Sequence, residues 1–223
     1  MEVPKGPVEA LVPDRYTVKS DNGETTYVRV DPFACERVNA GGSEIGPVRW
    51  AVVSAEICPR SGPEAGGCNG VEEYLLFLPT DSEAYARWLR GGTGLDVTHV
   101  AGLVYDFERP DVGMASYWFE VPLPSPAAFV VRGQVGAQTA VPVPIFEAQW
   151  FFQDTPVRDR SKPGGEVSTV SFRYGPHEDY FAPSDVTITA EGGSKMAEIL
   201  SSSEAKPALA VPHWIPAFEL KRT

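Results

Sequence analysis

Between Val71 and Glu108 the spacing of apolar residues changes twice, and each spacing predicts a different element. Tyr74–Leu78 is a short apolar run without alternation, which is expected of a strand covered on both faces. Apolar residues then recur every three or four positions over 81–90, as on one side of a helix. Over 97–107 the period becomes two, which is typical of a strand. The stretch therefore predicts a strand, a helix and a second strand.

The predicted helix has sequence signals at both ends. Thr80 is followed three residues later by Glu83, a spacing that predicts a capping box at the start of the helix. Glu83 and Arg87 are placed to form an ion pair one turn apart. Gly91 and Gly92 follow the last apolar position, and glycine takes the left-handed conformation at a helix end without steric cost. We therefore expect the helix to lie between Thr80 and Gly91.

Short apolar runs separated by turn residues predict strands along the rest of the chain. The sequence contains 21 glycines and 21 prolines, which provide the turns and favour a β-dominated fold. Ser194 precedes the segment KMAEIL and is predicted to cap a second short helix. The further strands are predicted at residues 16–19, 26–30, 48–57, 114–121, 127–135, 145–153, 167–174 and 186–190.

We expect one domain that spans residues 1–223, because no segment has the composition of a linker. Residues 1–16 and 204–223 are expected to form an N-terminal and a C-terminal arm. The apolar segment ALAVPHWIPAFEL contains two prolines, which favours an edge strand or an extended arm over a central strand. The predicted fold class is mainly β (α+β), a single antiparallel or mixed β-barrel of about nine to ten strands with two short helices.

Composition and charge exclude several classes of protein. A hydrophobic share of 43% and an aromatic share of 11% exclude a disordered chain. The formal net charge of −11 argues against nucleic acid and against an anionic membrane surface as partners. No apolar run reaches the length of a transmembrane helix, so no membrane insertion is predicted. The first residues have no apolar signal core, although a signal removed earlier would leave no trace.

The three cysteines bear on the cellular compartment. Cys58 and Cys68 bracket the loop PRSGPEAGG, whose composition favours a disulfide; two reduced thiols near a turn are the alternative. A disulfide would favour an exported or extracellular protein, and reduced thiols a cytoplasmic one. Cys35 remains as a small buried hydrophobic residue. No zinc-binding or catalytic-cysteine spacing is present.

Isolated polar residues on predicted strands carry the candidate chemistry, since the motifs of nucleotide binding and hydrolysis are absent. His99 lies on the apolar side of the predicted strand 97–107, where a neutral imidazole suits a catalytic base or hydrogen-bond donor. The alternative is a core histidine bonded to a backbone carbonyl. Glu147, if it faces inward, is a candidate catalytic base of raised pKa; if it faces outward, it belongs to a solvated strand face.

The candidate ligand-binding residues are arginines and aromatic or amide side chains on predicted strands. Arg29 and Arg132 can pair with a ligand carboxylate, or else form salt bridges at a barrel rim. No cofactor is predicted. No metal site is predicted either, because the adjacent positions of His177-Glu178-Asp179 diverge on a strand or turn. The predicted ligand-binding set comprises Arg29, Trp50, Tyr105, Arg132, Gln149 and Phe151.

Several segments resemble the acetoacetate decarboxylase-like β-barrel family: LVPDRY, TYVRV, GPVRWAVVSAEI, YLLFLPTDSEAYARWLRGG and GGSKMAEIL. The resemblance implies a cone-like β-barrel with an internal cavity. Members of that family that decarboxylate use a pair of lysines, one of which forms a Schiff base, on the strand after such a helix. This chain has no lysine between Lys19 and Lys162, and that strand contains His99 instead. The resemblance therefore supports the fold and argues against amine chemistry.

Together these observations predict a β-barrel enzyme that acts on a small organic acid or carbonyl compound by non-covalent acid–base chemistry. His99 and Glu147 are its predicted catalytic residues, and a small-molecule ligand is its predicted partner. The alternative is a non-catalytic, lipocalin-like carrier of a small apolar or amphipathic ligand. A structural domain with a filled core is a third reading. The direction in which residues 97–107 face would distinguish these possibilities.

Overall fold

The computed structural model confirms that the described chain is mainly β. Its helices are α1 (Lys5–Glu9), α2 (Glu83–Arg90) and α3 (Lys195–Leu200). The residues that the structure describes are 1–14, 16–59, 73–91, 95–107, 114–136, 140–143, 146–153, 167–174, 177–180, 184–202, 204–205 and 213–222. The strands are β1 (Glu2–Pro4), β2 (Tyr16–Val18), β3 (Thr25–Ala40), β4 (Ser43–Ile45), β5 (Val48–Pro59), β6 (Glu73–Thr80), β7 (Val97–His99), β8 (Val104–Phe107), β9 (Met114–Val121), β10 (Phe129–Gly136), β11 (Ala140–Val143), β12 (Phe146–Gln153), β13 (Val167–Tyr174), β14 (His177–Tyr180), β15 (Ser184–Thr189), β16 (Glu204–Ala205) and β17 (His213–Arg222).

The larger sheet has ten strands and is curled. Its hydrogen-bonded order runs β1-β3-β17-β13-β12-β6-β5-β2, with β4 added to β3 and β7 added to β6. Strand β3 also pairs with β5, so the pairings lead from β3 through β17, β13, β12, β6 and β5 back to β3. The sheet is mixed, because β17 runs parallel to β3, and both β12 and β7 run parallel to β6.

A separate five-stranded sheet, in the order β16-β15-β10-β9-β8, packs against the larger one. Its buried Phe119 and Phe129 share a core with Val28 and Ala55 of the larger sheet and with Met196 of α3. We call this group the two-sheet core. The sequence predicted one barrel and two helices, whereas the described chain has two principal sheets and three helices. The second sheet alternates buried and solvent-facing residues, a pattern suited to packing on another sheet.

The other face of the larger sheet is covered by α2. Phe33 stacks on Trp50 with ring centroids 5.1 Å apart, and the ring of Tyr85 on α2 lies 5.3 Å from that of Trp50. Leu78 and Leu89 are fully buried in the same group. We call this side of the sheet the α2 face. Strands β3, β5 and β6 are thus covered on both faces, which is the reason for the apolar runs without alternation.

The C-terminal segment is a central strand, so the prediction of an edge strand or an arm is wrong. Strand β17 lies between β3 and β13. It pairs with β3 at Ile215 and at Ala217, and the intervening Pro216 has no register partner. Among the described residues, the pairing with β13 begins at Phe218. The proline, which lacks an N–H, is accommodated beside β3 because the ladder with β3 does not use its position.

The single strand predicted over 97–107 is interrupted by a turn. Strand β7 ends at His99, and Gly102 adopts the left-handed conformation with a φ of 83° before β8 begins at Val104. Val97, Val100 and Leu103 are buried, whereas His99 is exposed. The turn breaks the strict alternation that the sequence suggested. The predicted placement of His99 on an apolar face is therefore wrong.

The start of α2 differs from the predicted capping box. The N-cap is Ser82, whose hydroxyl accepts a hydrogen bond from the Tyr85 N–H at 3.2 Å. Thr80 ends β6 instead, and its buried hydroxyl donates to the carbonyl oxygen of Arg49 at 3.0 Å. Glu83 is the first helical residue and forms no part of the cap. A strand that continues through Thr80 thus moves the helix start by two residues.

Both α2 and α3 begin with a serine cap, but the residues that follow the two helices differ in backbone conformation. Ser194 accepts a hydrogen bond from the Ala197 N–H at 3.2 Å, so the predicted second helix and its cap are confirmed. At the end of α2, Gly91 has a φ of −64° and a ψ of 101°, which is not the predicted left-handed conformation. Gly92 lies outside the described residues. Ser201, with a φ of 52°, takes the left-handed position after α3.

We expect Ser82→Ala to lower the free energy of unfolding by about 1 kcal/mol, because it removes the side-chain partner of the Tyr85 N–H. Urea unfolding followed by circular dichroism measures this change. Glu83→Gln is the matched control, since Glu83 is exposed and forms only an ion pair with Arg87. An equal loss in both variants would contradict the assignment of Ser82 as the cap.

Candidate functional site

A β-bulge in β6 determines which side chains reach the α2 face. Val53 of β5 pairs with Phe77, whereas the next residue, Ser54, pairs with Leu75. Leu76 is therefore an extra residue without a partner on β5. Because side chains alternate along a strand, one extra residue reverses the alternation on its N-terminal side. Leu75, and Glu73 two residues before it, consequently lie on the α2 face.

Polar residues of three neighbouring strands meet beyond the apolar part of this face. Arg29 of β3 lies opposite Ser54 of β5, and Glu56 of β5 lies opposite Glu73 of β6. Lys19, just after β2, reaches the same place through Glu56. We call these five residues the Arg29–Glu73 cluster.

The carboxylate of Glu73 is held by two partners. The Nη1 atom of Arg29 lies 2.7 Å from its Oε1 atom, and the Ser54 hydroxyl donates to its Oε2 atom at 3.1 Å. Ser54 is fully buried, and Glu73 is only 8% exposed. Both oxygens of a nearly buried carboxylate thus have a partner, as buried charges require.

Burial raises the pKa of Glu73 above its ordinary value. The positive charge of Arg29 and the hydrogen bond from Ser54 oppose this shift, while the negative charges of Asp31 and Glu56 add to it. Removal from water therefore outweighs the ion pair. A carboxyl group with a raised pKa is a candidate for proton transfer near neutral pH.

The cations of the cluster remain accessible to solvent. The side chain of Arg29 is 44% exposed, and so is that of Lys19. Lys19 binds the Oε2 atom of Glu56 at 2.8 Å, and this hydrogen bond raises the pKa of Lys19. The Nη2 atom of Arg29 lies 3.9 Å from the Oε1 atom of Glu56, too far for a hydrogen bond. The guanidinium therefore keeps donors available for an anion from solution.

Of the residues predicted from sequence, only Arg29 belongs to this cluster in the part of the chain whose side chains are described. Trp50 is fully buried against Phe33 and Tyr85 on the α2 face. Tyr105 packs in the two-sheet core, on the other side of the sheet. The structure therefore does not bring Arg29, Trp50 and Tyr105 together.

Arg132 lies on the solvent side of the second sheet. Its guanidinium carbon is 4.5 Å from the centre of the Trp118 ring, and its Nη2 atom is 3.6 Å from Glu120. The Trp118 indole donates a hydrogen bond to the same carboxylate at 3.0 Å. Arg132 is exposed, and Trp118 and Glu120 are partly buried. The group resembles the salt bridge that was the alternative interpretation of Arg132, and it provides a comparison for Arg29.

The two predicted catalytic residues are not joined to the cluster by any described contact. His99 is exposed at the end of β7 and lies beside Asp81. Burial raises the pKa of Asp81, against the lowering effects of Arg49 and the neighbouring His99. Glu147 lies on β12 opposite Arg173, but its side chain, like those of Gln149 and Phe151, is outside the described part. The catalytic roles of His99 and Glu147 stay predictions.

The two described cysteines differ in state. Cys58 is disulfide-bonded, and its predicted partner Cys68 lies outside the described residues. Cys35 is free and buried, and burial raises the pKa of its thiol to about 12. A thiol with such a pKa is a poor nucleophile at neutral pH. Cys35 therefore acts as the small hydrophobic residue that the sequence predicted.

Sequence reasoning missed Glu73, the central residue of the cluster. Its position directly before the apolar run Tyr74–Leu78 was the available signal, since a charged residue there must either face solvent or find a partner. Strict alternation from Phe77 would place Glu73 toward the two-sheet core. Only the extra residue Leu76 brings its carboxylate to Arg29.

The described residues contain no group of three or more His, Cys, Asp or Glu side chains placed to hold a metal ion. No described helix is both long enough and apolar enough to cross a membrane. Comparisons with protein-family models and with curated proteins give no match for this chain. The functional argument therefore rests on the geometry of the Arg29–Glu73 cluster.

We expect Arg29→Met to destabilise the protein at neutral pH, because it leaves the buried Glu73 without its cation. Breaking a fully buried pair costs about 3–5 kcal/mol; solvent screening at the exposed guanidinium reduces the expected loss to about 1–2 kcal/mol. Arg132→Met is the matched control, since its partner Glu120 lies on the surface, and we expect a loss below about 1 kcal/mol. Denaturant unfolding of both variants measures the difference.

A second substitution separates charge from packing in this experiment. In the double variant Arg29→Met/Glu73→Gln no buried charge is left, so most of the lost stability should return. A double-mutant cycle that gives additive losses would show that the two residues do not interact energetically.

The pH dependence of stability should report the raised pKa of Glu73. A group whose pKa is raised on folding binds more protons in the folded state, so its stabilising contribution is present below the ordinary value of 4.5 and is lost as pH rises through the raised pKa. Relative to Glu73→Gln, the wild type should therefore lose stability as pH rises from 4.5 through the raised pKa of Glu73. Parallel melting curves of the two proteins across this range would refute the raised pKa.

Proposed function

We propose that this protein is an enzyme that acts on a small organic acid or carbonyl compound by non-covalent acid–base chemistry. Glu73 is the residue that transfers the proton, and Arg29 binds the carbonyl oxygen of the substrate. The observation that carries the proposal is a nearly buried carboxyl group of raised pKa, 2.7 Å from an accessible guanidinium. Perturbed carboxyl groups beside a cation are frequent in catalytic sites.

We further propose that the larger sheet forms a barrel whose inside is the α2 face. The pairings that lead from β3 around the sheet and back to β3 support this architecture. Helix α2 covers one part of the α2 face, and the Arg29–Glu73 cluster lies beyond the apolar residues that α2 contacts. A barrel of the acetoacetate decarboxylase-like kind would present its polar groups to a ligand in this way.

The cluster contains the parts that proton abstraction next to a carbonyl group requires. The ionised Glu73 removes the proton, and the cation of Arg29 stabilises the negative charge that develops on the substrate oxygen. Ser54 fixes the second carboxylate oxygen and so limits the orientations of the base. Lys19 neutralises Glu56, which leaves Arg29 as the cation that faces Glu73. None of these steps uses a lysine amine.

A lipocalin-like carrier is the alternative function. The aromatic side chains Phe33, Trp50 and Tyr85 on the α2 face favour it, because apolar ligands are bound mainly by aromatic and aliphatic surface. The hydroxyl of Tyr85 is buried and has no hydrogen-bond partner among the described residues. A carrier would bind its ligand equally well with and without the Glu73 carboxylate.

Exchange of hydrogen for deuterium distinguishes these functions. In D2O, we expect the wild type to exchange the hydrogens next to the carbonyl group in at least one member of a panel of small ketones and oxo acids. Proton NMR measures the exchange as the loss of the signals of these hydrogens. Glu73→Gln should lower the exchange rate by about 10²–10⁴-fold, as expected for loss of a general base. Glu120→Gln, which removes the surface carboxylate beside Arg132, should exchange at the wild-type rate.

Two outcomes would contradict the enzymatic proposal. Exchange that persists in Glu73→Gln at the wild-type rate would exclude Glu73 as the base. Tight binding of a panel member without any exchange would favour the carrier. The melting temperature of each variant, measured in parallel, separates loss of the base from loss of the fold.

A further inference from the structure

Arg29 already binds the carboxylate of Glu73, and this contact affects how an anion from solution can bind to Arg29. Its Nη1 atom binds Glu73 at 2.7 Å, while its Nη2 atom is 3.9 Å from Glu56 and forms no hydrogen bond there. Glu56 instead gives its other oxygen to Lys19 at 2.8 Å. An anion from solution can therefore approach the exposed side of Arg29 only by joining Glu73 on the same cation, or by displacing it.

We propose that a small monocarboxylate binds at Arg29 and that its binding drives the protonation of Glu73. The inference rests on the proposed function, because it concerns the same pair of residues, but it is a statement about binding and does not require turnover. One proton passes from a buffer acid in solution to the Glu73 carboxylate: the bond between the buffer and its proton breaks, and a new O–H bond forms on Glu73.

Both modes of binding lead to the same proton uptake. If the ligand joins Glu73 on Arg29, two carboxylates share one cation, and like charges a few ångströms apart disfavour ionisation of the buried one. If the ligand displaces Glu73, that carboxylate keeps only the neutral hydroxyl of Ser54 as a partner. An ionised group in that position costs far more than a protonated one, because it is nearly buried.

The charged groups around Glu73 act in the same direction. Asp31 of β3 and Glu56 of β5 are negative and already disfavour the ionised form. Lys19 compensates Glu56 from the end of β2. Arg29 is thus the cation that keeps Glu73 ionised, and a ligand carboxylate would reduce its effect. The neutral Ser54 can donate to a carboxylate or accept from a carboxylic acid, so it suits both states.

The pH dependence of affinity follows from this coupling. Between the pKa of Glu73 in the free protein and its higher pKa in the complex, binding takes up close to one proton, and affinity falls about tenfold for each rise of one pH unit. Below the pKa in the free protein, Glu73 is protonated before the ligand arrives, so affinity no longer depends on this group. The site would therefore bind carboxylates more tightly as pH falls toward the pKa of Glu73 in the free protein.

Isothermal titration calorimetry with sodium propionate tests the proposal. Titrations of the folded wild-type protein are made at one neutral pH in two buffers with different ionisation enthalpies. We expect the observed heats to differ in proportion to the protons taken up. Propionamide, a neutral analogue of the same shape, should bind without a buffer-dependent heat, or should not bind.

Four variants show which residues take up the proton and bind the ligand. Glu73→Gln should bind propionate with the same heat in both buffers, because no group is left to take up the proton. Arg29→Met should lose binding of propionate. Arg29→Lys keeps the positive charge and serves as a second test if Arg29→Met is unstable. It should bind propionate at least about tenfold more weakly than the wild type, because lysine lacks the planar fork of donors. Glu120→Gln should behave like the wild type.

The calorimetric results test the coupling of ligand binding to protonation, and the deuterium-exchange results test the proposed enzymatic function. The inference is overturned if the wild type does not bind propionate, if its binding heat is independent of buffer, or if Glu73→Gln retains the buffer dependence. Proton uptake without any deuterium exchange would support the inference and remove the catalytic function. Exchange of a ketone without propionate binding would support the enzyme and remove the inference.

Discussion

One extra residue in β6 is the constraint on which the candidate site depends. Leu76 has no partner on β5, so the alternation of side chains reverses between Leu78 and Leu75. Without this reversal the carboxylate of Glu73 would point toward the apolar two-sheet core. The bulge turns it to the α2 face, where Arg29 and Ser54 offset part of the cost of burial. Bulges commonly redirect a side chain beside a functional site in this way.

Packing on both faces of the larger sheet sets the boundary of the site. The two-sheet core covers one face, and α2 covers part of the other through Tyr85 and Leu89. Glu73 begins β6, beyond the residues that α2 contacts. A carboxylate at this margin is removed from water by its neighbours, while its partner Arg29 still reaches solvent. The combination of a buried acid and an accessible cation follows from this position.

Opposed electrostatic effects act on the pKa of Glu73. Burial, Asp31 and Glu56 favour the protonated form of Glu73, whereas Arg29 and Ser54 favour the ionised form. A group in such a balance changes its proton occupancy when one neighbour changes. That property suits a general base, and it equally couples ligand binding to protonation.

The sequence by itself determined the elements that depend on near neighbours. The apolar run Tyr74–Leu78, the helical spacing of α2 and the serine before α3 are local patterns, and they correctly predicted a strand and two helices. Arg29 was recognised as a strand cation for the same reason. Tertiary structure alone decided which residues are partners. It placed Glu73 beside Arg29, inserted β17 into the centre of a sheet despite Pro216, and left His99 exposed. Periodicity is set within a few residues, whereas register across a ladder is set by long-range packing.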